Sequence, residues 1–163
     1  MNTPIYVLLA LVWMSKIFEK PRYSSRTSWD IFFNFIKNYD YGFIIRTSWL
    51  FSPFGKNFVK TIFSSLQNKN KIDVVADQTG SPTYAIDLAQ FILHAISQKS
   101  DFKGTEIYHF TNSGITTWED FARAIKKKTY NTNCIIHPVA SKDYPTRARR
   151  PKYAVLSCEK TKK

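Results

Sequence analysis

Asp77-Gln78-Thr79-Gly80-Ser81-Pro82-Thr83-Tyr84-Ala85-Ile86-Asp87-Leu88-Ala89 compresses a strand exit, a polar turn and a helix start into one short stretch. Immediately upstream, Ile72-Asp73-Val74-Val75 has the β-branched character of a short strand. Downstream, Ala85, Leu88, Ala89, Ile92, Ala95 and Ile96 recur at helical spacing and define one apolar face, which predicts a helix from about Thr83 to Ser97. Gly80 and Pro82 punctuate the turn, and Thr83 is placed to cap the helix. A strand that runs through a polar loop into a helix is the building unit of α/β proteins. In open α/β sheets the loop at the C-terminal end of the strand faces ligand.

The same alternation extends on both sides. Phe43-Ile44-Ile45-Arg46-Thr47-Ser48-Trp49-Leu50-Phe51 reads as a strand, and Phe58, Val59, Ile62, Phe63 and Leu66 then mark a helical face. Ile107-Tyr108-His109-Phe110 predicts another strand. Thr116 and Glu119 have capping-box spacing ahead of a helix carrying Trp118, Phe121, Ala122 and Ile125. Cys134-Ile135-Ile136-His137-Pro138-Val139 is the last strand, with Pro138 putting its end at a sheet edge. The fold class is α/β.

The chain has 163 residues, of which 44% are apolar, enough for one domain with a real core. With 24 Lys+Arg against 12 Asp+Glu, the formal charge of +12 attracts anions, including sugar nucleotides and nucleic acid, and by itself does not choose between them. The runs Lys126-Lys127-Lys128 and Lys160 to Lys163 read as solvated faces, and no nucleic-acid motif accompanies them. Cys134 and Cys158 have no C-x-x-C spacing, and His94, His109 and His137 lack metal-ligand spacing, so neither a disulfide framework nor a metal site is expected. A reduced, cytoplasmic protein fits this pattern.

Residues 1–40 read differently from 41–163. Ile5 to Met14 is an apolar run, too short for the roughly 20 residues that span a bilayer. It could be a signal-peptide core, but Met1-Asn2-Thr3-Pro4 carries no Lys or Arg and no small-residue cleavage pattern follows, so a buried strand or helix is the better reading. From Lys16 to Asn38 the chain mixes aromatic, Ser and basic residues around Pro21. Arg26-Thr27-Ser28-Trp29 recurs as Arg46-Thr47-Ser48-Trp49; one such pair is coincidence rather than a repeat fold, which needs at least three units.

Arg46-Thr47-Ser48-Trp49-Leu50-Phe51, the Asp77 to Ala89 stretch and Arg149-Arg150-Pro151-Lys152-Tyr153-Ala154-Val155-Leu156 together resemble the dTDP-4-dehydrorhamnose reductases, which belong to the extended short-chain dehydrogenase/reductases. The resemblance runs from about Gly42 to about Lys160. It implies a partial Rossmann-like fold: the last strands of the nucleotide-binding sheet and the small substrate-binding lobe, without the N-terminal dinucleotide-binding half. Alone, such pieces leave a sheet edge and an apolar face uncovered, and both invite association. The complete enzyme of this family passes a hydride from NADPH or NADH to the 4-keto group of dTDP-4-dehydrorhamnose, giving dTDP-rhamnose for surface polysaccharide.

This chain departs from the family in two ways. Its five glycines, Gly42, Gly55, Gly80, Gly104 and Gly114, are too widely spaced for the Gly-rich turn that cradles a pyrophosphate. No Tyr is followed by a Lys one helical turn later, the pairing by which a cation lowers the phenol pKa for proton donation. The family has its catalytic helix in the neighbourhood of Lys16 to Asn38, and this chain does not reproduce it. No catalytic or cofactor-binding residue is therefore expected, and the chain reads as a fragment or as the product of an altered upstream coding region.

The resemblance also nominates substrate-binding residues. Trp49 at a strand end can pack a flat ring on a deoxysugar, as the family's Trp does, or it can be core. Asn57 can cap the next helix, whose N-terminus can also present N–H groups to phosphate. Gln78 and Thr83 can serve a sugar or base, or the backbone of their own loop. Arg147 and Arg150, with Arg149 between them, can grip a diphosphate with planar forks or form a solvated loop. Asp87 is explained by the helix dipole. The expected partners are a dTDP-sugar and either a separate N-terminal half or a second copy, with no nucleic acid and no membrane. The alternative is a non-catalytic subunit of the same fold, like the regulatory subunit of methionine adenosyltransferase.

Overall fold

The structure, a computed structural model, describes residues 6–8, 41–98, 104–130, 132–144, 146 and 150–162. In chain order these form β1 (Tyr6–Leu8), β2 (Tyr41–Arg46), β3 (Leu50–Phe51), α1 (Phe58–Asn68), β4 (Lys71–Val75), β5 (Thr79–Gly80), β6 (Thr83–Tyr84) and α2 (Ala85–Ser97). β7 (Gly104–His109), β8 (Thr116–Thr117), α3 (Trp118–Lys127) and β9 (Ile135–Val139) follow, with short 3-10 turns at Ser141–Asp143 and Glu159–Thr161.

β2 is the axis of a three-stranded parallel sheet, with β1 on one side and β7 on the other. Phe43, Ile44 and Ile45 are each 1% exposed, so the strand is buried on both faces, as the unbroken apolar run of a central parallel strand requires. α2 covers one face. Its Leu88, flanked by Phe91 and Ile92, packs against Phe43, Ile45 and Tyr108, and each large apolar side chain so buried contributes about 1.5–3 kcal/mol. The helix face differs from the sequence reading at Ala89, which is exposed, while Phe91 turns inward. The apolar N-terminal run supplies β1 through Tyr6–Leu8, aligned with Gly42, Phe43 and Ile44.

A second core lies in a smaller lobe made by α1, α3 and the parallel pair β4–β9. Ile62 and Leu66 of α1, Ile72 and Val74 of β4, Ala122 of α3, and Cys134 and Ile136 around β9 form it. Among the described residues β9 pairs only with β4, and Pro138 lies opposite Val74. Cys134 falls just outside the strand that the sequence reading gave it.

Three boundaries move, each for a physical reason. The strand expected over Phe43 to Phe51 breaks into β2 and β3, because Trp49 adopts φ 49°, a left-handed conformation that is uncommon for any residue with a Cβ. The helix expected from Thr83 begins at Ala85. Thr83 instead pairs with Leu50 in β6, and the N–H of Tyr84 is satisfied by Asn112 Oδ1 at 2.6 Å, a cap supplied from a distant segment. Asn112 also donates to Asp87, so the carboxylate assigned to the helix dipole has a second task. The capping box shifts by one: Thr117 Oγ1 accepts from the N–H of Asp120 at 3.0 Å, while Glu119 pairs with Arg123.

The lysine runs are only partly solvated faces. Lys126 Nζ donates to the Cys134 carbonyl at 2.6 Å. Lys160 pairs with Glu106 and lies 4.6 Å from the Tyr108 ring centre, fastening the C-terminal segment to β7. Exposed apolar side chains remain, including Leu93 at 67% and Ile107 at 39%. Among the described residues no helix is long and apolar enough to cross a membrane, and no group of three potential metal ligands occurs.

Candidate functional site

The loop from Asp77 to Tyr84 is the hub on which four other segments converge. β5 pairs antiparallel with β8, placing Gly80 opposite Thr116 and bringing the start of α3 alongside. β6 pairs with β3, and the N–H of Thr83 donates to the Trp49 carbonyl at 3.2 Å. The C-terminal segment brackets Thr79: the Thr79 N–H donates to the Lys152 carbonyl at 2.7 Å, and the Ala154 N–H donates back to the Thr79 carbonyl at 2.8 Å. The N–H of Asn112 reaches the Pro82 carbonyl at 3.3 Å.

Trp49 is held flat in this hub. Its ring stacks on Trp118 with centres 3.6 Å apart and planes 13° from parallel. A Cβ on Gly80 would sit 2.5 Å from Trp49 Cε2, nearer than Cζ2 or Nε1, which places it above the ring face. No Trp118 atom is as close to that point, so Gly80 and Trp118 cover opposite faces of the indole. The absent side chain at Gly80 is therefore what lets the ring lie there. Both faces of Trp49 are taken, and what it can offer a ligand is its edge. Trp118 contacts Phe58 at 4.4 Å, which ties the stack to the first turn of α1.

Asn57 is the N-cap of α1. Its Oδ1 accepts from the Lys60 N–H at 3.1 Å, and its Nδ2 donates to the Ser52 carbonyl at 2.8 Å, so the amide is occupied by its own turn. Gly55, at φ 66°, makes the tight approach to that helix start. Thr83 is 0% exposed; its hydroxyl donates to the Ser48 carbonyl at 2.8 Å and accepts from Thr47 Oγ1 at 3.0 Å. A hydroxyl so enclosed has no surface for a ligand, and Thr83 serves the scaffold.

Gln78 is the opposite case. It is 6% exposed, yet its amide makes no hydrogen bond among the described residues. Among the described residues no polar side-chain atom sealed from solvent lacks a partner, so the amide still reaches solvent from its recess. Arg150 is exposed and likewise makes no hydrogen bond or ion pair among the described residues. Arg147 and Arg149 lie outside them. The structure thus brings Trp49, Gln78 and the segment carrying Arg150 onto one loop, with the N-terminus of α1 joined through Phe58 and Trp118.

Asp77 is the residue that the sequence reading missed. Its carboxylate accepts from both the Ser141 N–H and the Ser141 hydroxyl, each at 2.8 Å, and faces Lys152 Nζ at 3.8 Å. Those bonds, from the hydroxyl first, and the nearby ammonium hold it below its ordinary pKa. Only a partner far away in sequence reveals this role. Tyr108, beside Lys160, does not supply the acid of a reductase: burial pushes its phenol up, the reverse of the activation that chemistry needs. Nor do the described residues offer a glycine cradle for a nicotinamide dinucleotide. Gly55, Gly104 and Gly114 take positive φ at three separate turns, and Gly80 is committed to Trp49, so no run of glycines cradles a pyrophosphate.

The fold and its loop hub define the substrate-binding portion of a Rossmann-like reductase. Residues 34–163 match the family model described as the RmlD substrate binding domain, starting somewhat earlier than the motif resemblance does. The chain belongs to the dTDP-4-dehydrorhamnose reductase family. It is 38% identical over 125 residues to dTDP-4-dehydrorhamnose reductase of Aggregatibacter actinomycetemcomitans, covering 72% of this chain and 42% of that protein. It is 40% identical over 114 residues to the spore coat polysaccharide biosynthesis protein SpsK of Bacillus subtilis, covering 70% of this chain and 38% of the relative. Among solved structures, a dTDP-4-dehydrorhamnose reductase from Bacillus anthracis in complex with NADP superposes with a TM-score of 0.76 at 30% identity, covering 97% of this chain and 58% of that one. The matched region therefore spans about two fifths of the length of these curated relatives. The relatives named are reductases and a polysaccharide-biosynthesis protein, so the regulatory-subunit alternative gains no support.

Proposed function

We propose that this chain binds a dTDP-sugar at the Asp77 to Tyr84 hub and supplies the substrate-recognition part of a dTDP-4-dehydrorhamnose reductase. The observation that carries this reading is the recessed Gln78 amide, which makes no hydrogen bond among the described residues. The amide reaches solvent from its recess, so a ligand donor or acceptor can replace water there with a directed hydrogen bond. Arg150, with Arg147 on the same segment, supplies guanidinium forks for the diphosphate, and the N–H groups at the start of α1 add a second anion-binding element. The edge of Trp49 faces the sugar.

Hydride transfer from NADPH or NADH needs a dinucleotide-binding half, contributed by a separate chain or by further sequence, since the residues present here do not fit that cofactor. The working surroundings are the cytoplasm, where sugar nucleotides and nicotinamides are both found. Isothermal titration of the purified chain with dTDP and, separately, with NADPH tests the reading. Saturable binding of dTDP without binding of NADPH is expected; no binding of dTDP overturns it. NADPH oxidation that depends on dTDP-4-dehydrorhamnose and follows the chain through purification would contradict the division of labour.

A further inference from the structure

We propose that Asp77 is a positioning residue for the ligand end of the molecule, holding Gln78 and Arg150 in one fixed register. This rests on the dTDP-sugar reading above. The Asp77 carboxylate grips Ser141 through both its N–H and its hydroxyl at 2.8 Å. Two residues further along, Thr79 is bonded on both sides of its peptide to Lys152 and Ala154, at 2.7 and 2.8 Å, and bridges to Tyr153. Ser141 and the Lys152–Ala154 stretch are thus held to the loop, one on either side of Gln78. Arg150 precedes that stretch, and the Lys152 ammonium, 3.8 Å from Asp77, adds a second tie to the loop.

Holding Lys152 beside Thr79 restricts the conformations open to Arg150, a long, flexible side chain two residues before it. Freedom removed before binding is not lost on binding, which is how preorganisation raises affinity. A carboxylate suits the task because both oxygens accept, one for each Ser141 donor, and its charge answers Lys152. An asparagine keeps one acceptor and loses the charge.

Two readouts on the full chain test this. The first is amide hydrogen exchange without ligand: Asp77→Ala is expected to speed exchange at Ser141 and Thr79 at least tenfold, while the amides of the β4–β9 ladder keep their rates. The second is affinity for dTDP-rhamnose, expected to fall at least tenfold in Asp77→Ala. Arg150→Ala, which weakens binding in the unaltered chain, should then add little in the Asp77→Ala background. Should Asp77→Ala fail to fold, Asp77→Asn carries the same readouts with an expected change of about threefold, because it keeps one bond to Ser141. Unchanged exchange overturns the proposal. Faster exchange with unchanged affinity, or with Arg150→Ala fully additive, also overturns it, since Asp77 would then only brace the fold. If the unaltered chain binds no dTDP-rhamnose, the dTDP-sugar reading fails, and with it the ligand role of Asp77, whereas the exchange arm still decides whether the clamp exists.

Discussion

The two halves of the Asp77 to Tyr84 loop are built on opposite terms. In the second half each residue is tied to protein: Ser81 Oγ donates to the Gly114 carbonyl at 2.7 Å, the Pro82 carbonyl accepts from Asn112, Thr83 is bonded at both its N–H and its hydroxyl, and the Tyr84 N–H reaches Asn112. In the first half Asp77 and Thr79 are anchored, while the amide of Gln78 between them makes no hydrogen bond among the described residues. A stretch tied to the protein at each residue is scaffold. A recessed amide held between two anchors has capacity in reserve, and a substrate is what can use it.

Substitutions in the two halves should therefore separate stability from binding. The largest loss of stability is expected where the halves meet, at Trp49, which both Gly80 and Trp118 contact. Trp49→Ala should cost about 3 kcal/mol, read as a drop in the urea midpoint, because it empties a slot lined by a ring and a backbone that cannot collapse into it. A loss under about 1 kcal/mol, coupled to weaker dTDP-rhamnose binding, would instead make Trp49 chiefly a ligand contact.

Thr83→Val should follow, at about 2 kcal/mol. It keeps the shape and strands the Ser48 carbonyl and the Thr47 hydroxyl without partners in a site that is fully buried. Affinity for dTDP, measured well below the unfolding transition, should stay within about twofold, since Thr83 offers the ligand no surface. A large affinity change in a fully folded variant would return Thr83 to the binding residues.

Gln78→Met should show the converse. It preserves length and removes an amide that makes no hydrogen bond among the described residues, so stability should move by no more than about 0.5 kcal/mol. Binding of the dTDP-sugar should weaken about tenfold, equivalent to about 1.4 kcal/mol. Equal affinity in the two proteins would show that the Gln78 amide is not used by the ligand.

Much of this arrangement could be read from the chain, and the parts that could not share a cause. The α/β alternation, α1 and the apolar run of β2 followed from periodicity, because burial on one face or both imposes a pattern on every turn or every second residue. The residues of the hub were legible as a group through motif resemblance. Their division into scaffold and site was not, since it depends on partners far off in sequence: Ser48 for Thr83, Asn112 for Tyr84, Ser141 for Asp77. The shift of the helix start from Thr83 to Ala85 has the same origin, because a cap donated by Asn112 leaves no trace in the local sequence. Trp49 illustrates the limit most sharply. Its left-handed backbone and the bare Gly80 face are cooperative features, and a stretch that reads as one unbroken strand hides both.

The smallest expected effect concerns acid. Asp77 in the folded chain titrates below its ordinary value, because the Ser141 hydroxyl and N–H and the Lys152 ammonium favour the carboxylate. A group whose folded pKa is depressed adds stability that is fully present above its unfolded pKa, about 3.9, and is lost as pH falls through the lower folded value. The difference in urea midpoint between the unaltered chain and Asp77→Asn should therefore be constant from pH 7 to about pH 5 and should narrow only below about pH 4. Subtracting the variant removes the contributions of the other carboxylates, which titrate in both proteins. Because Asp77 is partly open to solvent, the gap should also shrink at high ionic strength as its attraction to Lys152 is screened, leaving the part due to Ser141. A gap that widens as pH falls from 7 to 5 would instead point to a raised pKa. That would place Asp77 in an uncompensated environment and remove the clamp on which the register of the first half of the loop depends.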